Sequence, residues 1–483
     1  MNRLALLLLL SGFWAQLPAA KRPNILFIFA DDLGWKDVGY QGTDFYDTPN
    51  IDRLASEGMI FTDGYAAAGN CAPSRACLLS GQYTPRHGLF AVGSTKRGPV
   101  NMMRMEPVPN ANGLASKVVT MAEALKAAGY ATGCFGKWHL GSKGGGTGPG
   151  DQGFDVVMDK NSKGGKIQED PKGIFTITKA ACEFMEQNKD KPFFAYVPHH
   201  AIHTAHHGRA KTVETYTRKK KGEQHNSVMY AACMHDLDAG VGILLQKLDD
   251  LGLRDNTLVV FTSDNGATRS SPQEPLRGNK GSYHEGGIRE PFLIRWPGVT
   301  KPGSKCNVPV INVDLYPTFL DATGSKVAEG KTLDGESLVP LLKGEPALRR
   351  KAIFWHFPGY LNTAVIRGRD PDFRTRPVSV IRKGDWKLYL YHEEWQLDGG
   401  AGKLDTNNAV ELYNLAADIG EFKDVAASNK SRRDELLGDL RAWFKETRAP
   451  LPTEKNPSYD PNAKPAENPK GRTRKKNKKD NAA

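Results

Sequence analysis

Residues 24–32 read NILFIFADD, a continuous apolar run that ends in two carboxylates, Asp31 and Asp32. Three later runs have the same texture: residues 130–135 (YATGCF), 192–197 (PFFAYV) and 257–262 (TLVVFT). Their apolar residues are continuous rather than alternating, which is typical of strands that are covered on both faces of a sheet. These four runs therefore predict the centre of a buried sheet.

Helical patterns separate the four runs, over residues 50–58, 119–129, 179–188 and 228–252. Strands that alternate with helices predict an α/β fold with a mostly parallel sheet flanked by helices. In such folds the ligand site lies outside the carboxyl ends of the strands. That rule places four polar groups along one edge of the sheet: Asp31 with Asp32, Lys137 to His139, His199 to His203, and Asp264 with Asn265.

The pattern of apolar residues changes beyond residue 344. The runs AIFWHFP, VSVIRKGDWKLYLYHE and VELYNL predict antiparallel strands, and residues 432–447 predict an amphipathic helix. We therefore predict a larger domain over residues 21–344 and a smaller C-terminal α+β domain over residues 345–450. Residues 451–483, first Pro-rich and then basic, predict a disordered tail.

The first twenty residues, MNRLALLLLLSGFWAQLPAA, have the basic start, leucine run and small-residue end of a signal peptide that is cut near Ala20. No later stretch approaches the roughly 20 apolar residues of a membrane-spanning helix. The sequence thus predicts an exported protein, periplasmic or extracellular, without stable membrane insertion.

The net charge of +12 does not by itself indicate a nucleic-acid partner, because half of it lies in the last 14 residues. There, seven Lys and Arg against Asp480 give +6. We predict that this end is a solvated tail; contact with a polyanion is the alternative.

Six scattered cysteines do not form the pattern of a disulfide framework, and we expect most of them to be small buried residues. Cys71 differs because Pro73 and Arg75 follow it. Pro73 fits the opening of a helix whose free N–H groups would point at Cys71 and favour its thiolate. Arg75 offers a planar fork of donors for an anion. The residues alone therefore favour a cysteine nucleophile, although a thiolate fits poorly with export to an oxidising compartment.

The carboxylates of Asp31, Asp32 and Asp264 would repel one another at one sheet edge unless a cation lay between them. With Asn265 they form an all-oxygen set that suits Ca²⁺ or Mg²⁺ better than zinc. The alternative is structural, since Asp-Asn-Gly is a strong turn signal and Asp-Asp can cap a helix.

Further candidates are basic. Lys137 and His139 would point to the same side of an extended segment, where they could hold an anion and move a proton. Residues 198–207, PHHAIHTAHH, carry five of the twelve histidines and fit either a transition-metal site or a general acid. Lys280 lies among glycines that permit close approach to a ligand. Each of these is also common on an ordinary protein surface.

The stretch 71–81, CAPSRACLLSG, resembles the signature of type I, formylglycine-dependent sulfatases: Cys-x-Pro-Ser-Arg with a Leu-Ser-Gly close. Seven further motifs follow the order of that family: PNILFIFADDLGW, GKWHLG, FTSDNG, RGNKGSYHEGGIREPFLIRWPG, VDLYPTFLDATG, LDGESLVPLL and RKGDWKLYLY. The resemblance covers residues 22–448. It implies an alkaline-phosphatase-like fold, with a central mixed, mostly parallel sheet, helices on both sides, and a smaller C-terminal α+β domain.

The resemblance also implies roles for the candidates. Cys71 would be oxidised by a formylglycine-generating enzyme to an aldehyde whose hydrate attacks sulfur, after which the second hydroxyl expels sulfate. Ca²⁺ would be bound by residue 71 with Asp31, Asp32, Asp264 and Asn265. Arg75 and Lys137 would hold the hydrate, His139 would assist its deprotonation, and His203 and Lys280 would bind the sulfate and help to protonate the leaving alcohol.

One departure concerns the histidine segment, where family members often read Ala-Pro-His-Thr-Pro and this chain has Ala201 to Ala205, AIHTA. The choice of His203 over His199 or His206 rests on Thr204, which follows it.

We expect a sulfatase that cleaves sulfate esters of a sulfated carbohydrate, and the basic charge suits an acidic polysaccharide. Two alternatives remain: a phosphate or phosphonate ester hydrolase of the same superfamily, and a non-catalytic protein that binds sulfated glycans and keeps Cys71 as a thiol.

Overall fold

The computed structural model describes residues 22–141, 147–158 and 169–464. The predicted signal peptide lies outside the described residues, as does the basic end of the chain. The described residues form sixteen strands: β1 Asn24–Ala30, β2 Met59–Phe61, β3 Gly64–Tyr65, β4 Ala131–Phe135, β5 Val156–Met158, β6 Phe193–Pro198, β7 Thr257–Ser263, β8 Phe292–Arg295, β9 Ser304–Cys306, β10 Val310–Ile311, β11 Ala352–Phe357, β12 Leu361–Asn362, β13 Phe373–Thr375, β14 Val378–Lys383, β15 Trp386–Tyr391 and β16 Val410–Asn414.

Twelve α-helices accompany these strands in the same described ranges: α1 Pro49–Glu57, α2 Cys71–Ser80, α3 Thr84–His87, α4 Met121–Ala127, α5 Ile174–Gln187, α6 Ala210–Arg218, α7 Val228–Asp250, α8 Glu285–Ile288, α9 Leu315–Thr323, α10 Val339–Leu342, α11 His392–Leu397 and α12 Lys430–Thr447.

The main sheet has eight strands in the order β5-β4-β6-β1-β7-β8-β2-β9. The first five run parallel, while β8 runs antiparallel to β7 and β2, and β9 runs parallel to β2. This confirms the predicted mixed, mostly parallel sheet. The four predicted runs are its four adjacent strands β4, β6, β1 and β7, so their carboxyl ends meet at one edge.

Every residue of β1 is buried because helices cover both faces of the sheet. Leu26, Ile28 and Ala30 pack into the core beneath α1, α5 and α7, whereas Ile25 and Phe27 pack toward α2, α4 and α9. The continuous apolar run that predicted β1 is the consequence of this two-sided burial.

Helix α7 is, among the described residues, one helix long and apolar enough to cross a membrane by length and composition alone. In the fold most of it is buried, with Leu237, Val241 and Leu244 packed in the core beside α1, α5 and α6. Its apolar composition is thus that of a core helix.

The C-terminal part contains a four-stranded antiparallel sheet, β11-β14-β15-β16, with α12 packed on it. Buried ion pairs join it to the larger part: Lys387 of β15 lies 2.7 Å from Glu285 of α8, and Arg382 of β14 lies 2.6 Å from Asp63. The predicted α+β architecture is confirmed for this region. The division at residue 344 falls between α10 and β11 and stays a prediction.

The described chain extends past residue 450, where we expected the disordered tail to begin. The Asn456 side chain donates hydrogen bonds of 2.7 Å to the carbonyls of Val100 and Met103, and its backbone N–H bonds the carbonyl of Arg104. These contacts fix residues near 456 against the larger part. The remainder of the predicted tail, from residue 465, lies outside the described residues.

Candidate active site

The four central strands deliver the predicted polar residues to one edge. Backbone hydrogen bonds then fix the loops that follow the strands: the Asp31 N–H bonds the Ala201 carbonyl at 2.8 Å, and the Lys137 N–H bonds the Pro198 carbonyl at 2.7 Å. The loops after β1, β4 and β6 therefore hold one another in place. Asp264 follows β7 directly and joins the same edge.

Cys71 is the first residue of α2, which Asn70 precedes in extended conformation and Gly81 ends in the left-handed region, with φ of 65°. Pro73 is the third residue of the helix, so the helix begins two residues before the position that its proline suggested. A proline is tolerated in the first turn because no intrahelical partner is needed there. Cys71 is thus part of the helix N-terminus.

Three carboxylates and the Cys71 thiol meet at this edge. Ligand atoms of Asp31, Asp32, Cys71 and Asp264 all lie within 4.8 Å of one another, and all four residues are buried. Asp31 Oδ1, Asp32 Oδ2 and Asn265 Oδ1 are buried oxygens without a hydrogen-bond partner among the described residues. Buried oxygens normally have a partner, and such a set is what a hard divalent cation binds. The residues present fit the calcium ion that the resemblance implies.

Three cations surround the carboxylates. The Arg75 guanidinium contacts Asp264 Oδ2 at 2.7 and 2.9 Å, and Lys137 Nζ lies 2.6 Å from Asp31. Lys280 Nζ lies 2.5 Å from Asp32 and 3.1 Å from the Cys71 sulfur. Three positive and three negative charges cancel. A divalent cation added to this set leaves a net charge of +2, which attracts an anionic ester.

These charges separate the pKa values of the two central carboxyls. Burial would raise the pKa of Asp31, but Lys137, Arg75 and Lys280 hold it well below its usual value. Asp264 has the opposite shift: burial and the charge of Asp31 raise its pKa to about 6 despite Arg75. The charged form of Asp264 is therefore less stabilised than that of Asp31, and a bound cation would favour it.

The unmodified Cys71 thiol is not activated. Burial raises its pKa to about 12, even though Lys137 and Lys280 favour the thiolate. The raised pKa argues against the expectation that Cys71 is a thiolate nucleophile, because burial, with the charges of Asp264 and Asp31, outweighs the two lysines. The six cysteines form no disulfide among the described residues, and all except the half-buried Cys306 are buried, as expected.

Lys137 and His139 do not share an extended segment. Strand β4 ends at Phe135, and His139 has a positive φ of 63°, so the alternation of side chains expected for an extended chain does not apply. The Lys137 side chain reaches inward, whereas the His139 ring is exposed at the surface of the site. Partial desolvation beside the site, and then the charges of Lys137 and Arg75, lower the pKa of His139.

Of the five clustered histidines, His203 contacts the carboxylates. Its Nε2 lies 3.8 Å from Asp32 Oδ2, and its Nδ1 is 2.6 Å from its neighbour's carbonyl, Thr204 O. The ring is 40% exposed, so it can meet a ligand. His199 is fully buried, with a pKa lowered to about 3 by burial, and His206 packs edge-on against Tyr230.

Two residues beside the cluster received no role from the resemblance. His200, one of the five clustered histidines, is half-buried near Asp31 and Lys137, and burial lowers its pKa to about 4. Glu290 is fully buried, and burial followed by the charges of Asp264 and Asp32 raises its pKa well above its usual value. The signal for Glu290 was a glutamate two residues before the apolar strand β8, where burial is expected.

The structure thus brings most of the predicted site residues together, with His139 at the rim: Asp31, Asp32, Cys71, Arg75, Lys137, His203, Asp264, Asn265 and Lys280. The fold, with this buried charged centre at the sheet edge beside residue 71, defines the class as an α/β hydrolase of anionic esters.

Comparisons with known proteins narrow this class. A family model described as Sulfatase matches residues 23–325, and one described as N-sulphoglucosamine sulphohydrolase, C-terminal, matches residues 279–449. The chain is 32% identical to a sulfatase of Formosa agariphila over 92% of each chain, and 32% identical to human arylsulfatase A over 90% of this chain and 89% of the relative.

Among solved structures, Ps i-CgsB in complex with k-i-k-neocarrahexaose is similar, with a TM-score of 0.70, 28% identity, and coverage of 90% of this chain and 95% of that chain. The protein belongs to the sulfatase family, as the signature indicated, and is a sulfuric ester hydrolase.

Proposed function

We propose that this sulfatase cleaves sulfate esters of a sulfated carbohydrate, with Cys71 converted to formylglycine and Ca²⁺ bound by Asp31, Asp32, Asp264 and Asn265. The observation that carries the proposal is the buried carboxylate cluster, whose unpartnered oxygens surround the residue to be modified. A carbohydrate substrate is supported by the sugar named in the C-terminal family model and by the oligosaccharide bound to Ps i-CgsB.

Formylglycine and calcium would supply a hydrated aldehyde as nucleophile and a centre that polarises the sulfate. The residues of this chain would bind and orient these groups and the sulfate ester. Arg75 fixes Asp264 through two contacts and donates to the Lys137 carbonyl at 2.9 Å, which holds the cluster rigid. Lys280, at 3.1 Å from the residue 71 side chain, would stabilise the negative charge of the sulfate beside the nucleophile.

Proton transfer would fall to the two histidines that reach the surface of the site. His203 presents Nε2 toward Asp32, so it would donate a proton to the leaving oxygen, while its contact with the Thr204 carbonyl fixes the ring. His139, whose exposed ring lies at the surface of the site, would accept the proton of the hydrate. Lys137 would hold that hydrate together with Arg75.

We further propose that residues 1–20 export the protein to the periplasm or outside the cell and that a formylglycine-generating enzyme modifies Cys71. The first residue of the mature chain, read by N-terminal sequencing of protein from its native host, checks export. An intact Met1 in the secreted or periplasmic fraction would contradict the signal peptide.

Mass spectrometry of the peptide that carries residue 71, combined with sulfate release from a panel of sulfated glycans, tests the function. We expect formylglycine at position 71 and loss of turnover by at least about 10³-fold in Cys71→Ala, as for other nucleophiles. Cys77→Ala is the matched control, because Cys77 is a free, buried cysteine of the same helix.

A fully active Cys71→Ala enzyme, or active native protein with unmodified cysteine at position 71, would overturn the mechanism. Faster turnover of phosphate or phosphonate esters would favour the alternative hydrolase, and binding of glycans without any turnover would favour the non-catalytic alternative.

A further inference from the structure

Residues 364–376, AVIRGRDPDFRTR, carry four arginines beside the site, and two of them pair with carboxylates. Arg369 pairs with Glu394 and Glu411, and Arg376 pairs with Asp370 and Glu393. Arg367 and Arg374 donate to backbone carbonyls instead, and the Nε of each is buried without a hydrogen-bond partner among the described residues. Of these two, Arg374 is the one that contacts the Lys280 segment of the site.

Arg374 lies directly against the loop that carries Lys280. Its Nη1 donates to the Lys280 carbonyl at 3.1 Å. Next to that carbonyl, Gly281 has a φ of +89°, and a Cβ there would lie 2.2 Å from Arg374 Cδ. The loop therefore needs a glycine at this position to let the guanidinium lie there. Arg374 is held in place by contacts with the site, and no carboxylate of the described residues neutralises it.

Two further arginines, from distant parts of the chain, lie close enough to Arg374 for their charges to act on it. The backbone N–H of Arg97 donates to the Tyr360 carbonyl at 3.2 Å, next to the β12–β13 hairpin that carries Arg374. The Arg269 guanidinium donates to the carbonyl of Ala364 in the same segment. Both side chains are exposed, and neither has an ion-pair partner in the described ranges. We name Arg97, Arg269 and Arg374 the arginine cluster.

Electrostatic interactions connect the cluster to the catalytic centre. Burial, and then the charges of Arg97 and Arg269, lower the pKa of Arg374, while Asp32 acts in the opposite direction. Three uncompensated guanidinium groups that repel one another are unfavourable unless an anion joins them. Guanidinium groups bind sulfate and carboxylate oxygens in a bidentate manner.

A cavity of about 190 Å³ lies beside Arg374, the one member of the cluster in its wall, which also carries the carboxylates of Asp370 and Glu394. Its wall includes Ser282, two residues beyond Lys280, and His284, whose two ring nitrogens are buried without a partner among the described residues. The other arginines of the wall, Arg369 and Arg376, are neutralised by glutamates. The unpaired donors of this cavity are therefore those near Arg374 and His284.

We propose that the arginine cluster is a subsite for a second anionic group of the substrate, a sulfate or a carboxylate, next to the sulfate ester that is cleaved. This inference rests on the proposed function and deepens it: the substrate is a polyanionic saccharide, and Arg374 is the specificity-determining residue. The cluster also places positive charge at the mouth of the site, which steers a polyanion toward it.

The test uses the formylglycine-containing enzyme and matched saccharide pairs that share the cleaved sulfate. One set of pairs differs by one additional sulfate, and the other differs by a carboxylate, with a uronic acid in place of a neutral sugar. The readout is the ratio of kcat/KM within a pair, because effects on folding or on the chemical step cancel in that ratio.

We expect the wild-type enzyme to prefer the more anionic member of at least one set, which also identifies the second group as sulfate or carboxylate. Arg374→Ala and the exposed Arg269→Ala should lower that ratio about 10-fold or more, chiefly through KM, because a hydrogen-bonded charge pair is lost. Arg374→Lys should lower it less. Arg349→Ala removes the same charge at a 96% exposed position and should leave the ratio unchanged.

A wild-type ratio near one for both sets, or equal ratios in wild type and the Arg374 and Arg269 variants, would overturn the subsite and leave the sulfatase function standing. Absence of turnover on every saccharide, with formylglycine present, would overturn the proposed carbohydrate substrate and the subsite with it.

Discussion

Arg75 shows how much one residue does in this site. Its side chain has no exposed surface, and it lies between Asp264 and Asp31, with its guanidinium carbon 5.1 Å from the centre of the Phe29 ring. A buried charge is tolerated only with partners, and removal of one partner leaves the other uncompensated. Arg75 therefore supports the cluster before any metal or substrate arrives.

Substitution of Arg75 by Met keeps the length of the side chain and removes its charge. We expect the free energy of unfolding, measured by urea denaturation in EDTA, to fall by about 3–5 kcal/mol, because Asp264 is left buried without its main partner. Calcium should restore part of the loss by supplying positive charge.

Arg349→Met is the control for Arg75→Met. Arg349 pairs with Glu336 at the surface, where an ion pair contributes about 0–1 kcal/mol. Equal destabilisation by both variants would show that the Asp264 contact has no special role in stability.

Among the elements, the central strands were predictable from sequence and the lateral ones were not. Strands β1 and β7 are buried on both faces, so seven consecutive residues of each had to suit the core. The outer strands β2 and β9 have three residues each, too few for a periodic pattern. Short strands of this kind are fixed by their neighbours rather than by their own residues.

The residues of the site were predictable from the sequence, but the contacts between them were not. The sheet-edge rule brought Asp31 and Asp264 together, and the family signature added Arg75. The salt bridge between Arg75 and Asp264 joins residues 189 positions apart, which no local pattern reveals. Desolvation likewise has no sequence signal, and it reversed the expectation for Cys71. The arginine cluster was missed because three separate segments build it.

A chain of hydrogen bonds makes the C-terminal sheet sensitive to acid. Ser379 Oγ of β14 lies 2.7 Å from His356 Nδ1 and 2.9 Å from His392 Nε2, and His356 Nε2 lies 3.0 Å from the Pro450 carbonyl. In this arrangement Nε2–H of each ring donates and His356 Nδ1 accepts from the serine hydroxyl. Both rings are therefore neutral in the fold.

Burial lowers the pKa of His356 to about 4, and burial followed by His356 lowers that of His392 further below its usual value. The unfolded chain, with histidine pKa values of about 6.5, binds more protons than the folded chain between pH 6.5 and 4. We expect the free energy of unfolding to fall as the pH is lowered through this window, as measured by urea denaturation at several pH values. His392→Phe should reduce the slope of the free energy of unfolding against pH by about 1.4 kcal/mol per pH unit at most. An unchanged slope would contradict the role of His392.

At the scale of the whole molecule, the two sheets are joined by buried charges rather than by apolar packing alone. Lys387 of the smaller sheet contacts Glu285 and Glu421, and Glu285 also binds Arg289. Burial would raise the pKa of Glu285, but Lys387 and Arg289 lower it to about 2. Because Glu285 follows the Lys280 loop closely, this network anchors the loop that lies between the catalytic centre and the arginine cluster.

Calcium should stabilise the entire fold through this centre, because an ion that binds the folded chain alone adds about 2.7 kcal/mol at 100 times its dissociation constant. We expect calcium to raise the Tm of the inactive Cys71→Ala variant above its value in EDTA. Asn265→Ala in the same background removes one unpartnered oxygen and should shrink that rise, whereas Asp405→Asn, which changes an exposed carboxylate, should preserve it. Identical melting curves in calcium and EDTA would contradict the metal site. A smaller rise with Mg²⁺ is expected, since a cluster of flexible carboxylate and amide oxygens suits the larger ion.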